Sequence, residues 1–520
     1  MKRSRPYSGT RIRREALALI FPFLAAFGCS PSRPDDAAQP VHRRPDIFPL
    51  SHGTVIPPNI APLNFVVREN GDAFFVLLKP ADGKALEVSS RSPRISLPRG
   101  PWREMLARNR GKTIDVEIYC RADKTWRRFD AVRDTVAPDG LDPFVAYRKI
   151  PLCKDWYAMG MYQRDVRDFN ERIVFENRST TACLNCHSFL NNAPDRMAIQ
   201  VRSKSFGTPM VLGGTEGGRF GLRAVNTATA FSSGKVGLTS WHPGGNLVAF
   251  TMNRFEMTFL TAGTEPRQVF DAAADIALYD NASNEISTCP ALSRKDRIET
   301  MPEWSRDGRS LYFCSAPQLP ESQYRSLACD LMRIAFDPKT GAWGAVDTVL
   351  TAVRAGGSVL QPRTSPDGRF ILVNVSPYGD FPVDKDGTRL ALLNLQTGSF
   401  AVYDSELAWT DSWHGWSSNG RWIVFSSKRL NGRFSCVCFA YADSAGGLHR
   451  PIALPQKDPS FYESSVFAYN VPECLTARIP VAIAQFAKAL QNYGKKSSKD
   501  AVTAASARAG EYEEYSGGLR

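Results

Sequence analysis

The chain has 520 residues, 43% of them hydrophobic, enough for roughly two to four domains with their own cores. Sixty-five Lys and Arg against 52 Asp and Glu give a formal charge of +13. Six of those basic residues and one acid lie in the first 28 positions, so the remainder carries +8. That charge is dispersed, with no dense basic cluster interleaved with aromatics, which argues against nucleic acid as a partner.

The first element in the chain is a targeting segment. Lys2, Arg3, Arg5, Arg11, Arg13 and Arg14 precede an apolar run from Ala16 to Gly28, too short to span a bilayer but suited to a signal peptide. Ala26 and Gly28 flank Phe27 just before Cys29. This resembles a bacterial lipoprotein lipobox, which implies cleavage before Cys29, lipidation of its thiol and an anchor in the cell envelope. The implied location is the outer membrane, facing the periplasm or the surface. The Pro-rich stretch 29–48 is expected to be a flexible tether. Residues 49–136 hold short apolar runs separated by turn residues, with a helix near Trp102–Arg108, and are predicted to form a β-sandwich similar to an immunoglobulin or fibronectin type III module.

Residues 137–198 are read as a loop-rich linker around Cys183-Leu184-Asn185-Cys186-His187. C-x-x-C-H is the attachment sequence of a c-type haem: two thiols for the vinyl groups, and an adjacent imidazole for the iron. One covalent haem is therefore expected on Cys183 and Cys186, with His187 as proximal ligand. The segment is too short for an independent cytochrome, so the rest of the pocket must come from elsewhere. His414, two residues ahead of a repeat Trp, leads the candidates for the far side of the iron. His242 and Met197 follow, and Arg164 is a candidate partner for a propionate. Met159 and Met161 are also close in sequence. Eight further cysteines are expected to be buried free thiols rather than disulfides.

Four segments recur downstream: Trp241-His242-Pro243-Gly244-Gly245, Trp304-Ser305-Arg306-Asp307-Gly308, Thr364-Ser365-Pro366-Asp367-Gly368 and Trp416-Ser417-Ser418-Asn419-Gly420. Each turn runs into an apolar strand, and a second hairpin follows. The segments resemble the TolB-type repeat, which implies an all-β propeller, here placed at 199–476 and expected to have six blades. Gly213–Gly218 reads as a β-turn. The 477–520 tail is expected to start as an amphipathic helix and end disordered.

Lipobox, Pro57–Phe65, Met159–Asp165, the C-x-x-C-H motif and the repeats together resemble a family of Bacteroidota lipoproteins. That resemblance supports the architecture and the haem and implies no reaction. Three functions follow as expectations. The first is an envelope electron carrier with a redox partner protein. The second is a haem-dependent oxidoreductase with its pocket on the propeller face. The third is a non-catalytic propeller that grips a protein or a glycan.

Overall fold

A computed structural model describes residues 33–34, 37–49, 52–151, 156–179, 182–203, 207–231, 234–261, 265, 267–403, 409–481, 483–493 and 499–500. Cys29 and the signal segment lie outside them. The described chain is all-β apart from short helices.

Residues 39–136 form two sheets, one of seven strands and one of three, over a shared core that includes Phe65, Phe74, Val76, Trp102, Leu106 and Ile118. The expected tether is partly built in: Gln39–Val41 pairs in parallel with Arg127–Phe129, and Ile47–Phe48 opens the smaller sheet. A second parallel pair, Thr135–Val136 with Val55–Ile56, also departs from the antiparallel pattern expected of an immunoglobulin-like sandwich. The helix is observed at Arg99–Arg108, with Trp102, Met105 and Leu106 on its buried face.

Six further sheets form a ring, a propeller-like arrangement. In each, four strands run in antiparallel succession, and one has Lys499–Asp500 added at its edge. The four recurrent segments end the innermost strands Val236–Trp241, Arg297–Trp304, Ser358–Thr364 and Asp411–Trp416. Their turns put Gly245, Gly308, Gly368 and Gly420 at φ of 65–80°, a region that favours glycine. The Ser and Asp of the repeat stabilise the same turn, with Ser305 Oγ donating to Asp307 Oδ1 at 2.6 Å and Ser365 Oγ to Asp367 Oδ1 at 2.6 Å.

The ring contains two sheets that the repeats did not announce. Phe144–Pro151, Gly160–Asp165 and Glu171–Glu176 form the outer three strands of one, and Phe467–Leu475 from the other end of the chain is its innermost strand. Cys183–Phe189, Met197–Arg202, Met210–Glu216 and Arg219–Val225 form the next. The expected linker 137–198 is therefore part of the ring, which begins near 144 rather than 199. Contacts between neighbouring innermost strands run all the way round, and the strand from the C-terminal end closes the circle. The Gly-rich stretch is a hairpin turn, with Gly217 at φ 55° and Gly218 at φ 77°.

Separate apolar clusters fill the seams between sheets. Leu184, Phe189, Met197 and Phe175 occupy one, Trp304, Leu311 and Leu278 another. Helix Ile483–Gln491 lies across the first of these seams, with Phe486 buried 4.3 Å from Phe175. The two-sheet module shares its core with the ring through Trp422, Phe439 and Tyr469. Asp142 reinforces that joint by accepting from the Ser418 backbone at 2.7 Å and its hydroxyl at 2.5 Å.

Candidate functional site

The innermost strands surround a central channel, and each carries a one-residue bulge partway along. Bulge residues Met301, Gln361, Trp413 and Val471 have φ of 47–55°. At the bulge level the channel is plugged. Val383, Trp413 and Val471 form an apolar cluster there, with Cys186, Leu238 and Phe381 packed against it. Phe381 and Val383 belong to the loop between Phe370–Ser376 and Arg389–Asn394, which covers this end.

Beyond the plug the channel opens into a cavity of about 770 Å³ including its mouth. All six innermost strands contribute to its wall, through Ser188, Ser240, Glu303, Arg363, Gly415 and Glu473. Glu303 is fully engaged. Its Oε1 accepts from the Thr364 backbone and hydroxyl, both at 3.1 Å, and its Oε2 accepts from Ser240 Oγ at 3.1 Å, with Arg363 Nη1 at 3.5 Å. Glu473 accepts one bond, from the Phe189 backbone at 3.3 Å. Burial pushes its carboxyl up to about 8, against the pull of Arg363 and with a further push from Glu303. Near pH 7 the Glu473 carboxyl is thus largely protonated. Trp241 and Trp304 line it, and neither indole N–H finds a protein acceptor.

The predicted haem residues are in the strand Cys183–Phe189 rather than on a loop. Both thiols are free. Cys186 packs into the channel plug, and burial raises its pKa. His187 is 3% exposed and stands 5.7 Å from Phe189, whose ring belongs to the neighbouring seam. Burial and the Arg148 guanidinium lower the imidazole to about 3, although the Val471 carbonyl favours its charged form. Neither ring nitrogen makes a hydrogen bond of normal geometry.

The donor set thus has the right chemistry for a c-type haem: two free thiols, an unpartnered imidazole, and Arg148 and Arg202 as nearby cations. Cys186 packs against the channel plug and His187 stands beside Phe189 of the neighbouring seam, in a strand that is bulged between Leu184 and His187.

The other sequence candidates are engaged elsewhere. His414 is 4% exposed and its Nε2 bonds the Leu372 carbonyl at 3.2 Å, in the seam with the preceding sheet. Burial and Arg363 lower it to about 3. His242 takes over the turn role of the repeat serine: its Nδ1 accepts from the Gly244 backbone at 3.0 Å, and its Nε2 lies 3.1 Å from the Gly308 carbonyl. Met197 is fully buried in an apolar seam. Arg164 is spent on the Asp168 carbonyl, Gln456 Oε1 at 3.1 Å and the Pro455 carbonyl, so it is not a free cation beside the thiols. Arg148 and Arg202 stand there instead, and Arg148 Nη2 contacts the Met159 sulfur at 2.9 Å.

Sequence reading missed the cavity residues. Ser240, Glu303, Arg363 and Gly415 each immediately precede the Trp or Thr of a recurrent segment, so aligning the repeats one position further back would have exposed the column. Glu473, in the closing strand, has no such marker.

No protein-family model matches the chain, and no curated protein matches it. Solved structures that resemble it include a nidogen/laminin complex, at TM-score 0.39 and 7% identity, covering 64% of this chain and 100% of that one. Another is the oligogalacturonate lyase of Vibrio parahaemolyticus, at TM-score 0.31 and 10% identity, covering 56% and 85%. The tricorn protease aligns at TM-score 0.33 and 12% identity, covering 74% and 36%.

Proposed function

We propose that this chain is an exported, lipid-anchored protein with a six-bladed TolB-like propeller, and that it works by binding a small ligand in the blind central channel. The observation that carries the reading is the cavity itself. All six innermost strands build its wall, an apolar plug closes one end, and polar and aromatic side chains converge on it. Export and anchoring rest on the basic segment, the apolar run and Cys29; among the described residues no helix is long and apolar enough to cross a membrane.

Gly415 supplies the test. Its φ is not positive, and an added Cβ would meet nothing nearer than 3.8 Å, so a larger side chain is compatible with the backbone while intruding on the cavity. A thermal-shift screen should yield compounds that stabilise the wild type and not Gly415→Leu. If every stabilising compound acts equally on both, the channel is not the site.

Haem attachment is the competing reading, favoured by the motif and by the unpartnered His187 ring. A pyridine haemochrome assay on protein from a host that matures c-type cytochromes decides between them: the channel reading expects no covalent haem, and a haem signal in stoichiometric amount would replace it.

A further inference from the structure

The residues around the cavity say what kind of ligand suits it. Count first the groups that accept hydrogen bonds. The Glu303 carboxylate already receives bonds from Ser240, from Thr364 twice and from the Arg363 guanidinium, so little of it is left for a ligand. Donors remain at the mouth, where the Arg306 guanidinium is exposed.

Charge points the same way. The charged or titratable groups along the wall are Glu303, Glu473, Arg363 and Arg306. Arg306 stands at the mouth, tied only to a neutral partner, the Asn191 side chain. Glu303 offsets Arg363, and Glu473 is held largely neutral by burial, so the wall retains about one positive charge near pH 7. The Ser188, Thr239, Ser240 and Thr364 hydroxyls and the Asn191 and Asn192 amides add polar groups, and aromatic residues supply apolar surface beside them. A single negative charge, several hydroxyls and an apolar ring face complement this wall.

We infer that the channel mouth binds a small hydroxylated monocarboxylate, of the aldonate or uronate class, with its carboxylate directed to the Arg306–Arg363 side. The inference rests on the channel being the binding site and adds the ligand's chemistry.

The experiment is isothermal titration of the full-length exported protein with D-glucuronate and D-gluconate, and with D-glucose as the neutral counterpart, at pH 6.5 and pH 9. Wild type should bind at least one acid at least tenfold more tightly than glucose. Arg306→Ala should weaken the acid at least threefold and leave glucose unchanged. Gly415→Leu should abolish acid binding. Affinity should fall from pH 6.5 to pH 9 in the wild type, as Glu473 ionises and repels the anion, and should change less in Glu473→Gln. Equal binding of glucose and the acids, lost in Gly415→Leu, would overturn the carboxylate inference and leave the channel as a site. Binding of an acid that survives in Gly415→Leu would overturn both. No heat with either acid would overturn the inference, while the thermal-shift screen continues to judge the channel.

Discussion

Replacing Glu473 by Gln removes an ionisable group that the fold holds away from its ordinary state. Burial raises this carboxyl from the usual 4.5 of a glutamate to about 8. A raised folded-state pKa means that the folded protein keeps a proton the unfolded chain has already released. Stability therefore falls as pH rises from about 4.5 to about 8, and the loss is constant above that. At about 1.4 kcal/mol per pH unit, the full interval would amount to about 5 kcal/mol. The side chain is half-buried at the edge of the cavity, so solvent screening reduces the expected effect to about 2–3 kcal/mol. Gln keeps the shape and can still accept from the Phe189 backbone, but carries no titrating proton. The assay is the melting temperature of wild type and Glu473→Gln across pH 4–9 at fixed ionic strength. Their difference should favour the variant progressively through the window and level off above pH 8, reaching about 2–3 °C. Parallel curves would refute the assignment of a buried, protonated carboxyl at this position.

Other consequences are open to direct measurement. Phe486→Ala should destabilise the ring by about 3–5 kcal/mol, because the phenyl ring is fully buried against Phe175 in the seam beside the closing strand; chemical denaturation reads this. Gly308→Ala places a Cβ 2.3 Å from His242 Nε2 at a φ of 70°, and should cost at least about 1 kcal/mol, part of it recovered in a double variant with His242→Ala. Cys120, Cys314, Cys329, Cys436, Cys438 and Cys474 are buried free thiols, so they should react with an alkylating reagent only after unfolding, as peptide mapping by mass spectrometry would show. Detection of a disulfide between any two of them would contradict the structure. Cys436 and Cys438, with sulfurs 3.7 Å apart on one strand face, are the sharpest case.

The recurrent segments were legible because turn chemistry is local. Ser305 and Asp307 close their own turn, and Gly308 supplies a backbone angle that other residues resist, so the pattern is written within six residues. The same locality made the helix Arg99–Arg108 readable. The sheet that begins at Cys183 escaped this reading because its turn, Asn191-Asn192-Ala193-Pro194, lacks the Asp-Gly core. The sheet that begins at Phe144 carries no recurrent segment, and its innermost strand comes from residues more than 300 positions away in sequence, so closure from both chain ends could be expected without its register being readable.

Sequence alone thus determined the repeats, their turns, the β-rich character of the chain and a cysteine-histidine motif of recognisable chemistry. It determined which atoms Cys183, Cys186 and His187 offer. Tertiary structure decided where those atoms point, because the direction of a side chain depends on whether its backbone is coiled or extended, and pairing with Met197–Arg202 extends it. Tertiary structure also assembled the cavity from six strands, two of them outside the recurrent segments, and burial at that junction set the protonation of Glu473. Desolvation is a property of the packed neighbourhood, so the character of the channel could not be read from residues taken along the chain.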